Sequence, residues 1–341
     1  MQVSEELPLV SLVITSYNRE ESIGKAIESA LAQDYPNLEI IIADNCSTDD
    51  SVEVIGRYAA DSRIKLYQNP ANIGMLPNFK KATEEFAKGK WITYVSSDDY
   101  LVNSSFVSEA VQKFNEHKTL VVFSGISRNF YRPAGKETHN AAYAYKESRG
   151  LLNKLIAGKS VFMEFQYSHL LNFGGSVFNR QDMMDMDIFR ENNTTYADLQ
   201  VILLLALKGD FYLSDKTAYV QTFHNSNASM VFTDAAKAVV NLNFAEIPFA
   251  AALEARAFEE KELNSWLDNI VKPFVFLTMK NLYEKDRPGY EKYLMQIRVK
   301  YPAVYSEISN SRKWKLMKLI YSNRVTGFLF NQILKIRNAG K

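Results

Sequence analysis

The chain has 341 residues, 47% of them hydrophobic, and its formal net charge is +1. These values predict a globular protein with an ample core, built as one large domain with an appendage or as two domains. The single cysteine, Cys46, excludes an internal disulfide framework and indicates a reducing compartment. We find neither a secretory signal at the N-terminus nor an apolar stretch near the ~18 residues of a membrane-spanning helix, so we expect a cytoplasmic protein.

Apolar strands alternate with helices through the first hundred residues. We predict strands at 9–15, 38–43, 64–67 and 91–95, and helices from Ser22, around 52–58 and over 76–88. This alternation predicts an α/β fold with a parallel sheet and right-handed crossovers. A polar cluster follows each strand, so these clusters should meet at one edge of the sheet although they are far apart in sequence.

The fourth strand ends in two adjacent carboxylates, Asp98 and Asp99. At the carboxyl edge of such a sheet, two acids suit an oxygen-preferring divalent cation that bridges to nucleotide phosphates. The same residues also fit a turn that opens the next helix, because Ser and Asp are common in turns and caps. The expected convergence with Asp44, Asn72 and Gly74 favours the ligand site.

Four ordered motifs run through this region: Ser-Leu-Val-Ile-Thr-Ser-Tyr-Asn at 11–18, Ile-Ile-Ala-Asp-Asn-Cys-Ser-Thr-Asp at 41–49, Asn-Ile-Gly at 72–74 and Ser-Ser-Asp-Asp at 96–99. Together they resemble the inverting family 2 glycosyltransferases of GT-A fold, of the bacterial glycan-assembly type. The resemblance extends over roughly residues 8–230. It implies a mixed, mainly parallel sheet flanked by helices, a nucleotide-diphosphate-sugar donor and a divalent metal.

The resemblance also implies roles for the donor-site residues. Thr15 and Tyr17 would line the nucleotide pocket, Asp44 would accept the N3 proton of a uracil-like base, and the loop from Asn72 to Gly74 would close over base or ribose. The chemistry agrees, because a carboxylate is a suitable acceptor for an imide N–H and glycine lets backbone approach a ligand closely. UDP is therefore the expected nucleotide.

One position of the acidic motif departs from the family. The family usually has an Asp where this chain has Ser96, so only the second and third acids remain. We assign Asp98 as the metal ligand and Asp99 as a further ligand or a supporting or ribose contact, with the two roles exchangeable.

A third acid, Asp198, precedes an apolar helix predicted over 201–207. It matches the family's catalytic base, although Ala197 replaces the Glu that the family carries before it. An inverting transfer needs such a base on the face opposite the departing diphosphate, and a helix N-terminus favours its ionised form. The alternative is that Asp198 only caps a buried helix. Upstream of it we predict a strand over 121–131, a helix over 148–157 and a strand over 173–180.

His224 follows a predicted strand and is followed a few residues later by Ser, as in the family. It would join the metal or the diphosphate, or else be a buried structural histidine; imidazole suits Mn²⁺ better than Mg²⁺, so Mn²⁺ is the preferred cofactor. We expect surface or structural roles for His117, His139 and His169. The Asp185-Met-Asp187 sequence also has Asp-x-Asp spacing, but the surrounding methionines indicate a packed helical segment with solvated acids.

From residue 234 onward helical periodicity dominates, so we place a catalytic domain at 1–232 and a helical region at 233–341. Helices are predicted over 235–257, 260–283 and 290–300, with breaks at Pro273, Pro288-Gly289 and Pro302. The stretch 311–341 has eight basic residues and no acidic one. It fits peripheral contact with an anionic membrane, or packing on its own domain or a second subunit. No zinc, helix-turn-helix or RNA-binding signature supports nucleic acid as the partner.

These features predict a metal-dependent inverting glycosyltransferase that moves a sugar from a UDP-sugar to a hydroxyl of a glycan or lipid-linked glycan, in the cytoplasm or on the inner face of the membrane. The alternative is a non-catalytic nucleotide-sugar-binding or assembly subunit, because the Asp at position 96 and the Glu at 197 are missing. Nucleotidyl transfer and serine hydrolysis are disfavoured, since we find neither a phosphate-cradling glycine-rich loop nor a nucleophile elbow.

Overall fold

The computed structural model describes residues 7–132, 135–139, 147–164, 171–189, 196–224 and 238–321. The chain divides into two compact units, one of residues 1–191 with 197–227 and the other of residues 192–196 with 228–341. The predicted boundary after residue 232 lies outside the described residues and stays a prediction.

A ten-stranded sheet runs through the first unit. Its strands are β1 Val10–Ser16, β2 Leu38–Asp44, β3 Ile64–Gln68, β4 Trp91–Ser96, β5 Tyr100–Leu101, β6 Leu120–Tyr131, β7 Lys136–His139, β8 Lys154–Ile156, β9 Ser176–Asn179 and β10 Asp210–Phe223. The order is β3-β2-β1-β4-β9-β6-β10-β5, with β7 beside β6 and β8 beside β10. β1 pairs in parallel with β2 and β4, as do β2 with β3 and β6 with β10. The mixed, mainly parallel sheet expected from the sequence is confirmed.

Helices connect the strands. They are α1 Ile23–Leu31, α2 Ser51–Gly56, α3 Met75–Lys81, α4 Phe106–Glu116, α5 Gly158–Glu164, α6 Arg180–Asp185 and α7 Ala197–Ala206. The helix predicted over 76–88 changes after α3 into a π-helical turn, Ala82–Phe86. Arg180 supports this turn by donating from Nε to the Thr83 carbonyl at 2.9 Å and from Nη2 to the Glu84 carbonyl at 3.3 Å.

The prediction of a helix over 148–157 is wrong. Lys154–Ile156 is instead β8, antiparallel to Phe211–Leu213 of β10. Exposed Lys154 and Leu155 and half-buried Ile156 cover the edge of the sheet there. Pairing with a strand more than 50 residues away decides the conformation of this segment, and local periodicity carries no information about such a partner.

A buried acid, Glu39 of β2, links β1, β2 and β3 at one end of the sheet. Its Oε1 accepts from Ser11 Oγ at 2.6 Å and from Lys88 N at 2.7 Å, and its Oε2 accepts from Lys65 Nζ at 2.7 Å. Gly89 N donates to the same Ser11 Oγ at 2.8 Å. Both carboxylate oxygens of buried Glu39 are therefore paired, as burial requires.

The second unit is helical. After a short 3₁₀ turn, Val240–Leu242, it contains α8 Asn243–Glu254, α9 Glu260–Lys285, α10 Arg287–Lys300, α11 Pro302–Asn310 and α12 Arg312–Tyr321. Buried Trp314 of α12 packs its ring against Phe276, Tyr283 and Tyr290. The predicted break at Pro273 is wrong, because α9 continues through it with Pro273 on an exposed face. Within the described ranges, no helix has the length and apolar content to cross a membrane.

Candidate active site

The loops that follow β1 and β2 are tied to each other at the carboxyl edge of the sheet. Asn18, whose φ is +52°, accepts from Thr48 N at 2.8 Å through Oδ1 and donates its own N–H to Ser47 Oγ at 2.9 Å. Thr15 lies half-buried between Ala43 and Ser96 of the neighbouring strands. The Tyr17 side chain is 42% exposed. This edge is therefore a rigid polar rim with an accessible aromatic ring.

Asp44 is the last residue of β2 and is fully buried. Its Oδ1 accepts from Ser47 Oγ at 2.5 Å and its Oδ2 from Ser47 N at 2.9 Å. Both bonds fix the orientation of the carboxylate. Each oxygen keeps a second lone pair, which could accept a hydrogen bond from a ligand if the groups that cover Asp44 move aside.

The side-chain amide of buried Asn45 holds the loop after β3. The sequence analysis does not identify this residue. Its Nδ2 donates to Asn72 Oδ1 at 2.9 Å and to Gly74 O at 3.2 Å, and its Oδ1 accepts from Ile73 N at 3.0 Å and Asn69 Nδ2 at 3.2 Å. Asn72 and Gly74 themselves are exposed. One side chain next to Asp44 thus shapes the loop expected to close over the nucleotide.

Asp98 and His224, 126 residues apart in sequence, meet in space. Asp98 Oδ2 lies 2.9 Å from His224 Nε2, and both side chains are 15% exposed. Arg19, in the loop after β1, places its Nε 3.7 Å from the same Asp98 oxygen. The structure therefore brings His224 and Asp98 together, while the predicted contact of His224 with a metal or diphosphate stays a prediction. Arg19, which the sequence analysis missed, lies beside them.

Asp99 faces the protein instead of this pair. Its Oδ2 accepts from Tyr219 Oη at 2.5 Å and its Oδ1 from Thr222 N at 2.6 Å, both in β10. Burial, and then the neighbouring Asp98 carboxylate, raise the pKa of Asp99 to about 7. Burial and the Asp99 charge likewise raise the pKa of Tyr219. Asp99 joins the β4–β5 turn to β10, the strand that ends just before His224, and no local pattern indicates this contact.

Asp98 and His224 fit a divalent cation as a pair of ligands. Two ligands at right angles and about 2.1 Å from an octahedral cation are about 3 Å apart, close to the observed separation. In the described part of the chain, no group of three or more His, Cys, Asp or Glu side chains could hold a metal. Water and the oxygens of a bound phosphate would suit the other coordination positions of such a cation. The expectation that Asp99 is a third ligand stays a prediction.

Asp198 is the second residue of α7. It is exposed, whereas the other residues of this helix are buried. Its Oδ1 accepts from Leu199 N at 2.9 Å, within its own turn. Surrounding protein nevertheless desolvates the carboxyl and raises its pKa. A carboxyl group that is surrounded by protein atoms but open to solvent on one side can be both exposed and partly desolvated. No hydrogen bond or ion pair between described residues joins Asp198 to Asp44 or Asp98.

The other predicted features behave as surface groups. Gln181 Nε2 donates to Asp185 Oδ1 at 2.7 Å along α6, and Asp187 lies 3.6 Å from Lys80 Nζ. Asp185 therefore ends a helix, as expected, whereas Asp187 lies in the turn after that helix with a φ of +43°. His169 lies outside the described residues, and so does the stretch 225–237 that follows His224.

The model of glycosyl transferase family 2 matches residues 11–180. The chain belongs to glycosyl transferase family 2. Chondroitin synthase of Pasteurella multocida is 29% identical to it over 233 residues, which are 68% of this chain and 22% of that protein. The Escherichia coli UDP-Glc:alpha-D-GlcNAc-diphosphoundecaprenol beta-1,3-glucosyltransferase WfaP is 35% identical over 125 residues, 37% of this chain and 47% of that protein. The family 2 chain thus spans less than half the length of either relative.

Solved structures confirm the GT-A fold. Staphylococcus aureus TarS 1-349, in complex with UDP-GlcNAc, superposes with a TM-score of 0.65 at 19% identity, over 87% of this chain and 82% of that one. The mannosyltransferase PcManGT from Pyrobaculum calidifontis, in complex with GDP-Man and Mn²⁺, gives a TM-score of 0.54 at 14% identity, over 96% and 88%. At these identities the likeness concerns the fold alone.

Proposed function

We propose that this chain is a metal-dependent inverting glycosyltransferase that moves a sugar from a nucleotide-diphosphate-sugar to a hydroxyl of a glycan or lipid-linked glycan. The observation that carries the proposal is the pairing of Asp98 with His224 at the same sheet edge as Asp44. The Asp98 and His224 side chains suit a cation that binds a diphosphate, and Asp44 suits a nucleobase. A nucleotide diphosphate requires both.

UDP is the proposed nucleotide. The fixed, buried Asp44 carboxylate accepts the imide N–H of uracil, while the exposed Tyr17 ring offers a face for the base. Asn45 holds the loop of Asn72 and Gly74 in the shape that closes this pocket. TarS, which has the same fold, is solved with UDP-GlcNAc, whereas PcManGT is solved with GDP-Man. The fold therefore accommodates either nucleotide, and the residues of the site determine which one binds.

Asp98 and His224 would hold the cation, with Asp99 positioning them through β10. A bound Mn²⁺ or Mg²⁺ supplies charge stabilisation for the leaving diphosphate. Asp198 is the proposed general base. Its carboxylate takes the proton of the acceptor hydroxyl, the hydroxyl oxygen bonds to the anomeric carbon, and the bond from that carbon to the diphosphate breaks, which inverts the configuration.

The names of two relatives support a lipid-linked acceptor. WfaP of E. coli and the Campylobacter jejuni GalNAc(5)-diNAcBac-PP-undecaprenol beta-1,3-glucosyltransferase, 35% identical over 112 residues, both carry an undecaprenol acceptor in their names. We further propose that the basic stretch 311–341 contacts the anionic membrane surface that presents such an acceptor.

The experiment that tests the proposed base compares Asp198→Asn with wild type. We expect the transfer rate to fall about 10²- to 10⁴-fold while the Kd for UDP stays unchanged, because only proton removal is lost. Calorimetry gives the Kd, and release of UDP from a panel of UDP-sugars with acceptor gives the rate. Asp185→Asn, which removes an exposed acid of α6, is the matched control. Full activity in Asp198→Asn would contradict the base assignment.

The same measurements distinguish the alternative of a non-catalytic subunit, which Ser96 and Ala197 favour. Such a subunit would bind UDP in an Asp98-dependent manner, and the wild-type protein would neither transfer the sugar nor hydrolyse the donor. Binding of no nucleotide, with or without Mn²⁺, would contradict both proposals.

A further inference from the structure

Arg19, in the loop after β1, lies beside the pair formed by Asp98 and His224. Its Nε lies 3.7 Å from Asp98 Oδ2, the oxygen that also lies 2.9 Å from His224 Nε2. The guanidinium is anchored from behind, because Nη1 donates to the Asn18 carbonyl at 2.9 Å and to the Tyr17 carbonyl at 3.4 Å. Arg19 N donates to Ser51 Oγ at 2.7 Å, so the backbone beneath the side chain is fixed as well.

The charge at this position is permanent. An arginine keeps its proton throughout the accessible pH range, and its planar group presents donors suited to carboxylate or phosphate oxygens. The Arg19 side chain is 29% exposed, so it can reach a bound ligand as well as Asp98. A divalent cation on Asp98 Oδ2 would lie within a few ångströms of this positive charge, and the two would repel each other.

We propose that Arg19 is a built-in counter-ion of Asp98 that competes with the divalent cation and turns to the donor's diphosphate when that cation binds. Without a metal, the guanidinium neutralises the Asp98 carboxylate. With metal and donor both present, Asp98 would hold the cation, and the Arg19 guanidinium would donate to oxygens of the donor's diphosphate. Donor and cation thus favour each other's binding, while the cation alone is disfavoured. This inference rests on the proposed cation and diphosphate site.

The experiment measures binding, so it does not depend on turnover. Arg19→Gln keeps the length of the side chain and much of its polarity but removes the charge. We expect its Kd for Mn²⁺ in the absence of nucleotide to fall about fivefold, because a repulsive charge is gone. We expect its Kd for UDP at saturating Mn²⁺ to rise about fivefold or more, because a charge-assisted contact to phosphate is lost. Electron paramagnetic resonance of free Mn²⁺ and calorimetry give the two constants.

Two further variants make the result specific. Arg57→Gln removes an arginine paired with Glu53 on the exposed surface of α2, and should change neither constant. Arg19→Lys keeps the charge and should restore weak Mn²⁺ binding, which a purely structural role of the guanidinium would not predict.

The opposite results overturn the inference. If Arg19→Gln binds Mn²⁺ alone no more tightly than wild type, Arg19 does not compete for Asp98. If its UDP affinity at saturating Mn²⁺ equals that of wild type, Arg19 does not contact the diphosphate. If the wild-type protein itself binds neither Mn²⁺ nor UDP, the proposed function fails first, and that outcome is distinguishable because it appears before any substitution.

Discussion

Gly74 shows how one backbone conformation shapes the nucleotide loop. Its φ is +90°, a region that residues with a side chain rarely adopt. A Cβ at this position would meet Pro77 Cδ at 3.7 Å, which is ordinary contact, so Gly74→Ala costs backbone strain without a clash. We expect the free energy of unfolding to fall by about 1–3 kcal/mol in urea titrations, and UDP binding to weaken because the Gly74 carbonyl shifts from Asn45.

The control for this prediction is Gly56→Ala, in α2. An added Cβ there meets nothing within 4 Å. Its unfolding free energy should therefore stay unchanged or rise slightly, since alanine favours a helix. Equal stability of the two variants would contradict the strain argument.

Asn45→Ala tests the amide that orders the same loop. The substitution leaves the Ile73 N–H and the buried Asn69 amide without their Asn45 partner. We expect a loss of about 1–3 kcal/mol in the free energy of unfolding together with weaker UDP binding, because unpaired buried polar groups are costly. Asn37→Ala, which removes an exposed bond to the Leu7 carbonyl, should leave UDP binding intact. Normal UDP affinity in Asn45→Ala would show that the loop keeps its shape without this side chain.

At the scale of elements, Glu39 links β1, β2 and β3, and it gives the sheet a pH dependence. Burial alone raises its pKa, but hydrogen bonds from Lys65, Ser11 and the Lys88 N–H outweigh burial and leave the pKa below its ordinary 4.5. A carboxyl whose pKa is lowered by folding contributes stability above its unfolded pKa and loses it as pH falls through the folded value. The contribution of Glu39 should therefore be complete at pH 7 and disappear below pH 4.5.

Glu39→Gln measures this contribution. At pH 7 we expect the variant to be less stable than wild type by about 2 kcal/mol, because the charged acceptor is gone. The difference between the two proteins in urea unfolding should shrink as pH falls below 4.5, where wild-type Glu39 becomes neutral. A difference that is constant from pH 7 to 3.5 would mean that the Glu39 charge contributes nothing.

Pro273 offers a second prediction at this scale, because α9 tolerates a proline that lacks a helical N–H. Its ring lies on an exposed face, so Pro273→Ala removes no core packing and restores one backbone hydrogen bond. We expect the free energy of unfolding of the helical unit to rise by about 1–3 kcal/mol. Pro302→Ala is the control, since Pro302 begins α11, where its missing N–H has no helical acceptor and its fixed φ suits the helix. A gain in Pro302→Ala of similar size would contradict the hydrogen-bond argument.

Across the whole molecule, the sequence predicted what local patterns determine. β2 was expected at 38–43 and occurs at Leu38–Asp44, because a continuous apolar run needs no partner to be recognised as a buried strand. The segment at Lys154–Ile156 was missed, because only its pairing with β10 makes it a strand. The site divides in the same way. Asp44 and Asp98 follow apolar runs, whereas the inward bonds of Asp99 and the approach of Arg19 to Asp98 depend on tertiary packing.

The chain concentrates many of its basic residues in one segment. Its net charge is only +1, yet residues 311–341 contain eight basic residues and no acidic one. Four of the eight, Arg312, Lys313, Lys315 and Lys318, are exposed on α12. A basic residue near an anionic bilayer contributes about 1 kcal/mol at low salt, so four together give binding that vesicle cosedimentation can measure.

We therefore expect the protein to sediment with phosphatidylglycerol vesicles at low ionic strength and to be released by about 0.5 M salt. It should not sediment with phosphatidylcholine vesicles. Replacing the four α12 residues by Gln should abolish sedimentation. Replacing four exposed basic residues elsewhere, Arg57, Lys261, Lys292 and Arg298, changes the net charge equally and should reduce sedimentation only slightly. Equal losses in the two variants would mean that net charge alone drives binding. If wild type fails to sediment but forms dimers that the α12 substitutions dissociate, the basic helix serves a second copy of the chain and not a membrane.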